Sequence, residues 1–316
     1  MKFGLRYCNT GRYVDPAKAV ELVQAGEEAG FESAWTVEHT VVPEGYQSAY
    51  PYSDDGKMAG GKDDVPLPDP LIWMAYAAAA TKRIKLATGI MILPQHSPVV
   101  AAKQIATLDY MSGGRVLLGI GVGWMREEFE ALNAPDFDKR GASSNEFLEI
   151  FKKAWTEDPI SFDGEFYSFP EVRCMPQPVQ DPHPPIWIGG HSKPARRRVA
   201  KYGDGWHPVG SIAASPLPPE KLQADFDDIK RMAEAEGRDP EAITICYKAP
   251  VYDAGVPVDG ADRKPFTGSF EQIADDVRTF EAIGVSELVF DFRSPTFDQS
   301  IEMMNAFGGG VMPLTK

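Results

Sequence analysis

The residues able to do chemistry in this chain stand where apolar runs stop. The run SAWTVEH ends in Glu38-His39, and a histidine there suits proton donation near neutral pH or a hydrogen bond to a ring. It would equally close a strand with no further duty, and Glu38 either pairs with it or holds a neighbouring backbone group. The run PIWIGG leads through Gly189-Gly190-His191-Ser192 into SKPARRRVAKYG. Unpaired N–H groups and the positive end of a helix would favour an anion such as phosphate there. Arg196, Arg197 and Arg198 add local positive charge, although the same stretch would also serve as a tight turn with solvated arginines.

In TGIMILP a glycine interrupts a β-branched run at Gly89-Ile90, which marks a bulge or the close approach of another group. GIGVGW offers Gly121, Val122 and Gly123 as a strand end on which a flat ring could lie. It is not the dinucleotide fingerprint, because Trp124 stands where GxGxxG needs glycine. Asn9, Trp124, Trp206, Lys248 and Arg293 also stand at the ends of apolar runs and are candidates for touching a substrate, although a tryptophan such as Trp206 in an apolar strand is more often core. Rival chemistries lack their residues. His39, His96, His183, His191 and His207 form no His-x-His or His-x-x-x-His pair, so no metal site is expected. There is no GxSxG elbow, and Lys248 alone stands in a setting that could suit a Schiff base.

These residues act together only if the elements between them gather them. Eight apolar runs alternate with longer amphipathic stretches: KFGLRY, SAWTVEH, IKLATGIMIL, VLLGIGVG, PIWIGG, GWHPV, ITICYKA and ELVFDF. That rhythm predicts a (β/α)8 barrel, in which function gathers at the C-terminal ends of the strands. Asp15-Pro16, Asp69-Pro70 and Ser97-Pro98 read as helix caps followed by proline, and Gly30, Gly113-Gly114 and Gly284 read as stops. Three segments exceed ordinary loops and are expected as insertions after strands 2, 4 and 7: residues 40–68, 159–184 and 251–268. The first reads as a lid or as a surface insertion, the second as a small hairpin with a Pro-rich connector. No linker divides the chain, so one domain over 1–316 is expected.

Composition narrows the partners. With 32 basic and 46 acidic residues the net charge is −14, which argues against nucleic acid or an anionic membrane. No apolar run nears the roughly 20 residues of a spanning helix. The start MKFGLRY lacks a signal-peptide layout, and Cys8, Cys174 and Cys246 form no CxxC, so a cytoplasmic protein without disulfides is expected.

Three segments then carry a resemblance: AGEEAGFESAWTVEH, DPLIWMAYAAAATKRIKLATGIMILPQHSPVVAAKQIATLDYMSGGRVLLGIGVGWMREEFEALN and PPIWIGGHSKPARRRVAKYGDGWHP. Together the chain resembles the luciferase-like monooxygenase family, and within it the branch of coenzyme F420-dependent oxidoreductases. The match covers most of residues 1–210, and the last third agrees only in layout. The resemblance implies a barrel holding a flavin or deazaflavin at its C-terminal face, with His39 close to the redox ring as the catalytic residue. It implies a bulge at Gly89-Ile90, often with a non-proline cis peptide, behind that ring. It further implies that Gly121 to Gly123 and Gly189 to Ser192 hold the cofactor's side chain and phosphate, the latter beside Arg197. Trp124 departs from the sugar-phosphate dehydrogenase branch, which carries a glutamate there. The expected reaction is hydride transfer between coenzyme F420 and a small organic substrate under the 40–68 segment. The alternatives are an FMN-dependent monooxygenase using oxygen and a non-catalytic flavin-binding barrel. A homodimer is also implied.

Overall fold

Runs rich in Val, Ile and aromatic residues become buried parallel strands when helices cover them from outside. The computed structural model describes residues 1–58, 64–210, 216–250, 252–255, 257–258, 260 and 263–316. In it the eight expected runs are the barrel strands: β1 (Lys2–Leu5), β2 (Ser33–Thr36), β3 (Lys85–Ile92), β4 (Val116–Gly121), β5 (Ile186–Gly189), β6 (Gly205–His207), β7 (Thr244–Lys248) and β8 (Val285–Phe290). They pair in parallel in chain order, and Gly4 of β1 closes the ring between Ser33 of β2 and Val289 of β8. The chain is a (β/α)8 barrel.

The covering helices are α1 (Pro16–Ala29), α2 (Pro70–Ala80), α3 (Pro98–Ser112), α4 (Arg126–Ala131), α5 (Arg140–Thr156), α6 (Lys193–Tyr202), α7 (Pro219–Ala235), α8 (Phe270–Ala282) and α9 (Phe297–Gly310). Asp15 accepts from the Ala17 and Lys18 N–H groups, and Asp69 from that of Ile72, so both caps are made through the side chain. Ser97 precedes α3 as expected but its hydroxyl makes no cap bond, leaving Pro98 alone to mark that start. Gly113 ends α3 at φ 71°, a backbone region that disfavours other residues.

Trp35, Ala87, Leu117, Trp187, Cys246 and Val289 fill the inside of the barrel, separate from the larger core between strands and helices. Of the expected insertions, residues 40–58 follow β2 directly. The second lies between β4 and β5 but beyond α5. Its hairpin, Ile160–Asp163 with Ser168–Val172, packs back along that helix, where Glu146 accepts from the N–H groups of Glu165, Phe166 and Tyr167. It is therefore not a loop leading straight off a strand end, unlike the connection that holds α4. Residues 59–63 of the first insertion, and 251, 256, 259, 261 and 262 of the third, lie outside the described residues. No helix among the described residues is long and apolar enough to cross a membrane.

Candidate active site

Asn9, buried just after β1, shapes the end of β2. Its side chain accepts from the Val37 N–H (2.8 Å) and donates to the carbonyls of Val37 (2.8 Å) and Pro68 (3.0 Å). Its amide is thus engaged with backbone on both sides. The next two residues then point different ways. Glu38, 6% exposed, accepts from the Ile92 N–H and pairs with His96 Nε2 at 3.0 Å, not with His39. Burial opposes charge on His96, but the hydrogen bond and charge of Glu38 outweigh it and raise its pKa.

His39 finds a different carboxylate. Its Nδ1 lies 2.9 Å from Glu128 Oε2, and Glu128 Oε1 also accepts from the Val41 N–H at 3.3 Å. Glu128 is fully buried on α4, and Met125, at the cap just before that helix, is also buried. A carboxylate accepts only, so Nδ1 carries the proton of the bond and Nε2 is the nitrogen left for another partner. The Trp124 ring stands edge-on to His39 at 5.7 Å.

The expected bulge in β3 is present. Pairing with β4 jumps from Thr88–Leu118 to Met91–Ile120, so Gly89 and Ile90 are skipped by the ladder, and their peptide bond is cis. The Ile90 side chain lies over the ends of β4 and β5. A Cβ on Gly121 would collide with its Cδ1, and one on Gly189 would come within 3.2 Å of its Cγ2. Gly123, at φ 82°, leaves room for Ile92 and Phe129. Val122 stands part-exposed between these glycines. Lys248, buried at the end of β7, donates from Nζ to the Gly89 carbonyl at 2.7 Å.

At the head of α6, Gly190 takes φ 94° and the Ser192 hydroxyl accepts from the Ala195 N–H. His191 Nε2 accepts from the Val209 N–H at 3.0 Å, and burial above all pushes its pKa down to about 4, so this ring is neutral. Trp206 is fully buried and donates to the Gly190 carbonyl at 2.9 Å. It packs as core and props the glycine turn. The arginine cluster divides in three. Arg196 pairs with Asp225 and Asp228 of α7, and Arg198 is buried, donating to Asn145 Oδ1 (2.8 Å) and the Gly141 carbonyl (2.9 Å). Arg197 alone stays exposed with no ion pair among the described residues. Arg293 binds the Asp291 carboxylate with Nε and its terminal nitrogen, and stacks 4.3 Å over Tyr7.

The 40–58 segment covers this mouth with aromatic rings. Tyr46 and Tyr50 meet Trp124 edge-on at 5.6 and 5.1 Å, and Tyr52 lies 6.1 Å from His191. Glu127 of α4 fastens the segment by accepting from the N–H groups of Gln47 (2.8 Å) and Ser48 (3.1 Å). The sequence reading missed Glu127, Glu128, Tyr50 and Tyr52. A signal for Glu128 exists: it falls three residues after Met125 and beside Phe129, on the buried face of a short helix. Among the described residues no three His, Cys, Asp or Glu side chains gather as metal ligands would.

A parallel barrel with histidine, bulge and glycine turn all at the C-terminal ends of its strands defines an enzyme of the (β/α)8 class. The chain belongs to the luciferase-like monooxygenase family, whose profile matches residues 4–254. An uncharacterized protein of Mycobacterium tuberculosis is 31% identical over 277 residues, 87% of this chain and 85% of that one. The FMNH2-dependent dimethylsulfone monooxygenase of Pseudomonas putida is 38% identical over 161 residues, 50% of this chain and 42% of that enzyme. Among solved structures, an F420-dependent secondary alcohol dehydrogenase in complex with an F420-acetone adduct superposes with a TM-score of 0.76 at 18% identity, covering 100% of this chain and 99% of that one. The protein is thus an enzyme of a family of oxidoreductases and monooxygenases with both F420-dependent and FMN-dependent members among its neighbours.

Proposed function

We propose that the chain transfers a hydride between coenzyme F420 and a small organic substrate at the barrel mouth. The observation that carries this is the His39–Glu128 pair: a buried carboxylate fixes one ring nitrogen and leaves Nε2 to give or take the proton that must accompany a hydride. Gly121 and Gly189 let the Ile90 side chain lie flat across the ends of β4 and β5, and this apolar surface suits one face of a flat ring. When bound, a reduced deazaflavin supplies the hydride. His39 protonates the substrate oxygen from Nε2, and Glu128 stabilises the charged imidazole. The N–H groups of residues 190–193, with Arg197 near, suit the cofactor's phosphate. Trp124, Tyr50 and Tyr52 exclude water. Titration with coenzyme F420 is expected to change deazaflavin fluorescence saturably, and no change overturns the reading. His39→Ala then leaves affinity within a few-fold while lowering reoxidation of reduced F420 by ketones and aldehydes roughly 10²-fold.

A second reading has its own support in the 38% identity to the dimethylsulfone monooxygenase. In that case the ring is FMN, and oxygen uptake with reduced FMN is the test. The three cysteines, free and buried, support a cytoplasmic location. The apolar outer faces of α2 and α3 support a homodimer.

A further inference from the structure

We propose that Lys248 is a positioning residue which holds the β3 bulge from across the barrel and places an unneutralised positive charge beneath the ring seat, so that binding an anionic cofactor is coupled to proton uptake. The inference rests on the reading that a deazaflavin or flavin occupies the mouth. β7 and β3 lie on opposite sides of the closed ring. The Gly89 carbonyl belongs to the two residues that the β3–β4 ladder skips, and a buried carbonyl without a ladder partner needs a donor from elsewhere. Lys248 Nζ is that donor, at 2.7 Å.

Below this bond the barrel is sealed. A Cβ on Gly89 would lie 3.1 Å from the Thr36 carbonyl and the Trp35 ring and 3.5 Å from His207 Nε2. His207 stacks on Trp35 at 4.2 Å and has its Nδ1 2.9 Å from the Cys246 carbonyl. Lys248 is itself buried and has no carboxylate partner among the described residues. The groups facing it are Arg6 after β1, Cys246 two residues back on β7, and His207 on β6. Burial and repulsion from Arg6 bring the Lys248 amine down to about 7, while the Cys246 thiol opposes only weakly because burial keeps it protonated. His207 is held neutral by burial and by Lys248 itself.

The sign of the coupling follows. A negative charge arriving at the mouth favours the ammonium form and raises its pKa, so above neutrality the complex holds a proton that the free enzyme lacks. Calorimetric titration in buffers of different ionisation enthalpy reads this directly, with coenzyme F420 and FMN as probes. At about pH 8 the wild type is expected to take up close to one proton per cofactor, and at about pH 6 almost none. Lys248→Met should abolish the uptake, and Lys248→Arg, charged at every pH, should abolish uptake while restoring affinity. Binding without uptake in the wild type, or uptake that persists in Lys248→Met, overturns the inference alone. Binding of neither cofactor overturns the proposed function and this inference together. The wild-type measurement decides the matter even where a variant fails to fold.

Discussion

At the scale of single residues, the site depends on how one imidazole is held. Glu128 is buried with both oxygens engaged, one on His39 Nδ1 and one on the Val41 N–H. Glu128→Ala leaves those two donors without an acceptor in a desolvated place, at a cost of about 1–3 kcal/mol in stability. It also frees the ring to take the wrong tautomer. Turnover is expected to fall by about 10²-fold with cofactor affinity nearly unchanged. Residues that act as one unit lose activity once, so the His39→Ala, Glu128→Ala double variant should be little slower than His39→Ala alone. Single-turnover reoxidation of the cofactor checks this, and additive losses would show that the two act separately.

At the scale of elements, α4 links His39 to the segment that covers it. Successive residues divide the work, Glu128 holding His39 and Glu127 holding residues 47 and 48. Burial opposes the charge on Glu127, but hydrogen bonds from the Ser48 side chain and from backbone N–H groups bring its pKa down to about 2. A lowered carboxyl stabilises above its unfolded value, so this clamp persists through the physiological range and weakens only as pH falls toward 2. Glu127→Ala should let the segment lift. Cleavage within residues 40–58 is expected to rise about tenfold, with Trp124 emission shifted to the red and the melting temperature of the barrel nearly unchanged. Unchanged proteolysis would show that the Trp124–Tyr46–Tyr50 contacts suffice. These elements also mark what could be read in advance. The eight strands and the Asp15 and Asp69 caps were legible because period and capping are local in sequence. The different surroundings of the three arginines were not legible, because the acids that occupy Arg196, Asp225 and Asp228, sit on another helix. The Lys248–Gly89 bond joins opposite strands of a closed ring, a pairing that no local pattern announces.

At the scale of the whole molecule, a net charge of −14 sets where two copies can approach. α2 contains no ionisable group apart from Tyr76, and the outward residues of α3 include Lys103 but no acid, since Asp109 is buried. Across these two packed helices Ile72 (72% exposed), Tyr76, Val100, Tyr110 and Met111 (79% exposed) face outward. Met175 and Val179 extend the same side, because Lys103 bonds the Met175 carbonyl and Asp109 the Val179 N–H. Large apolar residues gathered where α2 and α3 present no acid, on an otherwise acidic chain, fit a second copy placed across a two-fold axis. The chain should therefore run at twice 34.7 kDa in light scattering. Ile72→Glu with Met111→Glu puts like charges opposite each other across the axis and should yield a monomer. Both side chains are exposed on the single chain, so that monomer should still bind cofactor at the mouth, formed at the strand ends and not by this face. A wild type that elutes as a monomer, or a double variant that remains dimeric, would place the contact elsewhere.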